Sequence, residues 1–368
     1  MREDWKYSTI GESCNINYGT RVVRKRDGGS IYDVYGGGGA TFKMDTYNRE
    51  DCLVVSRFAM SPKCTRFVSG KFFLNDSGLT LSPKKDTGLS QAFMNTILLA
   101  NNDNIYKYGR GSAQRNLKVD EFCTMPISYP KSLSEQERIV ALLDDQFAKI
   151  DALKANAASQ LQAAKDLFQS ALKEMLTPKE GWERKMLKDV STIIGGSTPK
   201  TSDASNWGGN NNWVTPAELN GEKYYGKTKR TISDKAAKGM QLLPVGTVLL
   251  SSRAPIGKVA ITTEPMYCNQ GFKNIVCSNV LYNEYVYWYI LFSVPQLEAL
   301  GIGATFKELS KSRTEEFPIS FPSLPEQERI AARLDAISEK VKALQANYDQ
   351  TITLCNDLKQ SLLKSIFA

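Results

Sequence analysis

The chain is written twice. Sliding the sequence along itself brings Trp5, Ile10 and Glu12 onto Trp182, Leu187 and Asp189, and Gly19-Thr20 onto Gly196-Ser197. Further along, the apolar stretch from Ala92 to Leu99 meets the one from Tyr285 to Phe292. Gly109, Gly111, Arg115 and Leu117 meet Gly301, Gly303, Lys307 and Leu309. Pro126-Ile127-Ser128-Tyr129-Pro130 returns as Pro318-Ile319-Ser320-Phe321-Pro322, and Glu135-Gln136-Glu137-Arg138-Ile139 is identical to Glu326-Gln327-Glu328-Arg329-Ile330. The offset drifts while the order holds, so the copies share a frame and differ in their loops. Two units of about 5–181 and 182–368 follow. Their C-terminal stretches agree best and their earlier parts have diverged, a pattern left equally by a retained scaffold with diversified domains and by an old duplication without functional meaning.

The retained part is helical. In the second unit Ile330, Leu334, Ile337, Val341, Leu344 and Tyr348 step by alternate fours and threes, and Ile352, Cys355, Leu358, Leu362 and Ile366 carry the stripe onward. Ile139, Leu143, Phe147, Ile150, Leu153, Leu161, Ala164, Phe168, Ala171 and Met175 repeat it in the first. That spacing puts one apolar face on a helix. Ser134-Glu135 and Ser323 with Pro325-Glu326 supply start chemistry, and Pro178 with Gly181 stops the first helix. At about 1.5 Å per residue each helix is roughly 60 Å long. A single stripe of that length requires a partner, and its duplicate is the obvious one. An antiparallel pair, a coiled coil relating the units by a pseudo-two-fold axis, is the expected arrangement, and the competing reading is two independent amphipathic helices, each packed on its own domain.

The remaining segments are mixed. Runs such as Cys52-Leu53-Val54-Val55, Phe67-Val68, 245–250 and Val259-Ala260-Ile261 alternate with glycines and turn residues, and 90–99 and 282–292 suit short buried helices. The predicted class is therefore α+β: mixed domains at 1–132 and 179–323, with long spacer helices at 133–178 and 324–368.

Composition removes several chemistries. The 368 residues contain no histidine, which excludes histidine acid/base catalysis, Ser-His-Asp and Cys-His nucleophiles and most zinc sites. Seven scattered cysteines, none in a C-x-x-C pair, disfavour a metal or disulfide framework and suit a reducing cytoplasm. No apolar run is long enough to span a bilayer, and the N-terminus lacks a signal-peptide stretch. A net charge of +8, from 47 basic and 39 acidic residues, suits contact with a polyanion through local patches.

The order of domain, helix headed by Leu133-Ser134-Glu135-Gln136-Glu137-Arg138-Ile139, second domain, and helix headed by Leu324-Pro325-Glu326-Gln327-Glu328-Arg329-Ile330 resembles the specificity subunits of type I restriction–modification systems. Gly195-Gly196-Ser197-Thr198-Pro199-Lys200, Trp207-Gly208-Gly209, Trp213 and Thr215-Pro216-Ala217-Glu218-Leu219 add to the likeness, and Tyr35-Gly36-Gly37-Gly38-Gly39 is similar to a segment common in their target-recognition domains. The resemblance implies a non-catalytic subunit whose two target-recognition domains each read half of a split, asymmetric double-stranded DNA sequence. It further implies docking to two adenine-modification subunits and to restriction subunits. S-adenosylmethionine, ATP and Mg are then cofactors of those partners, with none in this chain, and no membrane is involved. The competing reading is a coiled-coil scaffold whose domains grip other proteins.

Candidate DNA-binding residues are Arg24, Lys25, Arg26, Arg57, Arg110 and Arg115 in the first domain, with Arg21 and Lys84 beside them. The second offers Lys200, Asn206, Trp207, Asn211, Asn212, Lys229, Arg230, Arg253 and Lys307, with Lys227, Lys258, Asn210 and Trp213 nearby. Arginine and lysine neutralise phosphates, arginine also pairs with guanine, and asparagine pairs with adenine. For any single basic residue the competing reading is a solvated charge, and for the asparagines it is turn chemistry. Gly221 to Thr228 satisfies G-x-x-x-x-G-K-T, yet Tyr224 and Tyr225 crowd it and no strand feeds it, which leaves a basic aromatic loop near a DNA backbone or a plain solvated loop. No N-P-P-Y methylase motif occurs, and Glu183-Arg184-Lys185 lacks the acidic partner a nuclease needs.

Overall fold

The computed structural model describes residues 2–303 and 307–367. Met1, 304–306 and Ala368 lie outside the described residues, so the outermost residue of the first domain and of the second helix has no structural account. Two compact units result, Met1–Ala158 with Tyr348–Ala368, and Ser159–Asn347.

In the first unit a six-stranded sheet runs in the order Cys14–Tyr18, Gly78–Pro83, Arg49–Ser56, Thr65–Leu74, Tyr32–Tyr35, Lys43–Met44. Its pairings are antiparallel except that Tyr32–Tyr35 runs parallel to Thr65–Leu74. Helix Gln91–Ala100, capped by the Ser90 side chain accepting from the Phe93 N–H, buries Phe93, Met94, Ile97 and Leu98. They join Leu53, Val55, Leu79 and Leu81 in one core, with Ile139 and Leu143 from the head of the first long helix and Leu363 from the tail of the second.

The second unit repeats the plan with one strand broken. Its five-stranded sheet runs Ser191–Gly195, Lys273–Cys277, Val248–Ser252, Ile256–Thr262, Tyr224–Tyr225, and a three-stranded sheet runs Arg230–Ile232, Trp207–Val214, Tyr267–Cys268. Ile256–Thr262 and Tyr267–Cys268 do together what Thr65–Leu74 does alone. Val34 and Tyr35 pair with Phe73 and Leu74, as Trp213 and Val214 pair with Tyr267 and Cys268. Helix Asn283–Phe292 packs its buried Tyr285, Val286, Trp288 and Ile290 with Leu172 and Met175 of the first long helix and Ile330 and Leu334 of the second.

Each long helix has 44 residues, Leu133–Leu176 and Leu324–Phe367. Within the first unit they run antiparallel: Lys359 meets Phe147 and Asp151, while the earlier Asn356 meets the later Lys154, its Oδ1 accepting at 2.6 Å. The second unit pairs the tail of the first helix with the head of the second, which is the same sense.

The repeated sequence letters acquire reasons. Gln136 is fully buried; its Nε2 donates to Gly88 O at 2.7 Å and Pro130 O at 2.8 Å, and its Oε1 accepts from the Ser90 N–H at 2.8 Å. Gln327 does the same with Val280 O, Pro322 O and the Tyr282 N–H. Glu12 and Asp189 accept from the backbone N–H of Thr9 and Met186, each starting a short helix. A Cβ on Gly19 would lie 1.9 Å from Asn75 O, and one on Gly196 2.1 Å from Cys268 O, so both strand exits require glycine.

Candidate nucleic-acid interface

The divergent surface of each unit is a small sub-sheet with the turn that leads into it. In the first unit this is Tyr32–Tyr35 with Lys43–Met44, preceded by the short helix Arg24–Asp27, which buries nothing. The Asp27 carboxylate accepts from the Val23 N–H at 2.7 Å and from Arg26 Nε at 2.9 Å, so Arg26 is neutralised within its own turn. The side chains of Arg24 and Lys25 are exposed, with no hydrogen bond or ion pair among the described residues. The glycine run splits in two: a Cβ on Gly37 would meet Phe58 O at 2.4 Å, whereas one on Gly38 meets nothing within 4 Å.

Beside that loop the strand Arg49–Ser56 ends in a tight turn. Ser56 Oγ donates to Gly37 O at 2.6 Å, and the Leu117 N–H donates to Arg57 O at 2.8 Å. The second unit builds the same turn, with the Leu309 N–H on Ser252 O at 2.9 Å, and Ala59 and Ala254 take φ of 48° and 52°. Counting from those alanines, Arg57 and Arg253 sit one position apart. The scaffold matches and the arginine has moved. Arg57 lies 4.9 Å from the Tyr18 ring and 4.5 Å from Phe58, while Arg253 lies 3.9 Å from Glu308. Arg115 stacks on Tyr106 at 4.5 Å and donates to Gly109 O at 2.9 Å, and Arg110 is paired with Glu121.

In the second unit the strand Trp207–Val214 bulges against Arg230–Ile232, since Trp207 and Asn211 both face Ile232. Gly208 and Gly209, at φ of 82° and 92°, carry the bulge outward with the exposed Asn210. The Arg230 guanidinium lies 3.7 Å from the Trp207 ring centroid and 5.5 Å from Trp213, and the two indoles sit edge to face at 5.1 Å. Lys200, Lys229 and Lys307 are exposed, and their ammonium groups have no partner among the described residues.

The asparagines are mostly engaged in holding the loop. Asn206 is buried and its amide donates to Lys200 O; Asn211 donates to Ile232 O and Asp234; Asn212 accepts from Thr228. Lys258 is also occupied, donating to Pro216 O and Leu219 O, each at 3.0 Å. The Gly221–Thr228 segment forms the strand Tyr224–Tyr225 beside Ile261 and Thr262, followed by another strand and no helix, so it offers no phosphate cradle. Lys223 turns inward instead, to Glu284 at 3.0 Å and Asp335 at 2.6 Å. Two half-buried cations escaped the sequence reading: Arg66, donating to Gly37 O, and Lys273, donating to Ser252 Oγ. Neither stands in a motif, and only the strand pairing brings them to the turns.

Among the described residues no group of three acidic, cysteine or histidine side chains is placed to hold a metal ion, and no helix is long and apolar enough to cross a membrane. What these units define is a duplicated sheet domain, each copy presenting basic and aromatic side chains on a divergent sub-sheet and carried on paired long helices. The family profile for the type I restriction modification DNA specificity domain matches residues 2–163 and 179–354, and the chain belongs to that family. It is 39% identical over 173 residues to the type I restriction enzyme MjaIX specificity subunit of Methanocaldococcus jannaschii, an alignment covering 45% of this chain and 39% of that protein. It is 26% identical over 269 residues to the putative MjaX specificity subunit of the same organism, covering 67% and 61%. The chain thus spans less than two thirds of the length of these relatives. A chain from a structure on complex assembly and conformational transition of the type I R-M system superposes with a TM-score of 0.79 at 20% identity, covering 100% of this chain and 98% of its own. The HsdS subunit of Thermoanaerobacter tengcongensis gives 0.59 at 19% identity, covering 99% and 96%, and both likenesses concern the fold.

Proposed function

We propose that this chain is the sequence-reading, non-catalytic subunit of a type I restriction–modification complex. Each domain reads one half of a bipartite, asymmetric DNA target, and the long helices space the two readings. The observation that carries this is the contrast between the copies: strand order, head glutamines and turn geometry repeat, while the surface side chains on the sub-sheets differ. A basic turn with Arg24 and Lys25 occupies one, and a tryptophan-backed Arg230 the other. Two domains of one design with different exposed donors suit two different half-sites.

In this reading the partners are two modification subunits, which bring S-adenosylmethionine and methylate adenine, and restriction subunits, which bring ATP and Mg; the setting is the cytoplasm. The test is genome-wide mapping of N6-methyladenine in a host expressing the chain with its modification subunit, against a deletion. A split motif with a fixed unspecified gap, lost on deletion, is expected. An unchanged methylome with the complex assembled would refute the role and favour a protein-binding scaffold.

A further inference from the structure

We propose that Arg230 is a base-reading residue of the second domain and fixes one guanine in its half-site. The inference rests on the DNA-reading role above and assigns one contact within it.

Arg230 is exposed, and yet its guanidinium carbon lies over an indole ring. It opens the edge strand Arg230–Ile232, opposite Trp213, and its side chain packs on Trp207 at 3.7 Å. Its N–H groups meet no acceptor among the described residues. Seven other arginines are engaged within the chain. Arg26, Arg110, Arg138 and Arg329 have carboxylates, and Arg57, Arg66 and Arg115 donate to backbone carbonyls. Stacking takes the guanidinium face and leaves its in-plane donors free, and that fork matches the O6 and N7 acceptors of guanine. A side chain already immobilised also loses less freedom on binding than a mobile one.

The surroundings admit a base edge. Gly208, next in the chain to Trp207, has nothing besides its chain neighbours within 4 Å of where a Cβ would stand, so the bulge is open there. The Trp207 Nε1–H is buried without a hydrogen-bond partner, which marks the indole as a platform for the guanidinium and not as a donor elsewhere. In the first unit the matching position is Phe42, whose carbonyl accepts from the Val34 N–H, so the contact belongs to one domain only. A phosphate contact would not need the aromatic backing, because an ammonium such as the neighbouring Lys229 serves a phosphate as well.

The test uses the full chain with its modification subunits, selecting bound duplexes from a randomised library at fixed salt, for the wild type, Arg230→Ala and Arg230→Lys. Expected is loss of preference at one G·C pair in one half-site, roughly ten- to a hundredfold, with the other half-site and the gap intact. Arg230→Lys should relax the same position while keeping the salt dependence, since it retains charge without the fork. An unchanged motif with uniformly weaker binding makes Arg230 a phosphate contact and overturns the assignment. So does loss of the whole half-site in Arg230→Lys with an unaltered melting temperature. If the wild type selects no motif at all, the DNA-reading role fails first, and this result is distinct from either of the others.

Discussion

The five residues repeated without change at the helix heads separate into letters that hold the fold and letters that do not. Replacing Gln136 by alanine removes three hydrogen bonds at a fully buried site, to the Ser90 N–H at 2.8 Å, Gly88 O at 2.7 Å and Pro130 O at 2.8 Å. An orphaned buried N–H costs about 2 kcal/mol and each carbonyl about 1 kcal/mol, so the loss is about 4 kcal/mol. With a urea dependence of about 2 kcal/mol per molar, the unfolding midpoint of this unit falls by about 2 M. Gln136→Met keeps the volume while losing the same bonds, and it should fall nearly as far. Arg138→Ala breaks a bidentate pair with Glu135 that lies on the surface, and the midpoint should not move measurably. The assay is urea titration followed by the 19F signal of fluorotryptophan at Trp5, because the remaining tryptophans, Trp182, Trp207, Trp213 and Trp288, belong to the other unit. A midpoint shift under about 0.5 M for both Gln136 variants, or an equal shift for Arg138→Ala, would refute the reasoning.

Gln327→Ala should lower the stability of the second unit in the same way, through Val280, Pro322 and Tyr282. Lys223→Met strands Glu284 and Asp335 in a partly buried site and should cost about 3 kcal/mol by thermal or urea unfolding. Burial works to raise the Glu284 pKa, but hydrogen bonds from Tyr224 and Lys223 outweigh it and hold the carboxyl below its ordinary value of 4.5. A lowered folded-state pKa means that this stabilisation is present above the ordinary value and lost as the pH falls through the lowered one. The gap between wild type and Lys223→Met should therefore shrink in acid, and a gap independent of pH would count against the network. Replacing Arg24, Lys25 and Arg26 together should weaken DNA binding and flatten its salt dependence by about two phosphates' worth, a change of about 1.8 in log–log slope, because Arg26 is already paired with Asp27; an unchanged slope removes the patch from the interface. Cysteines at Lys154 and Asn356 should be joined within one chain by a short bismaleimide, and crosslinks only between chains would contradict the antiparallel pairing.

The sequence alone determined the duplication, the two long helices, and the buried helices near 91–100 and 283–292, because each is written in local periodicity or in letters that repeat. It also singled out the helix heads, though without showing that glutamine is their buried residue and the Glu–Arg pair their exposed one. The basic candidates were legible as a set. Which of them remain available was not. Arg110 faces Glu121, Arg26 faces Asp27, Lys258 holds two carbonyls, Lys223 points inward, and Arg230 lies over the Trp207 ring. Nor did spacing reveal that each long helix gives its head to one core and its tail to the other. An apolar stripe specifies that a face will be buried; which partner buries it, and which acceptor a long cationic side chain reaches, depend on strand register and on residues tens to hundreds of positions away. Those are the terms that only the tertiary structure decides.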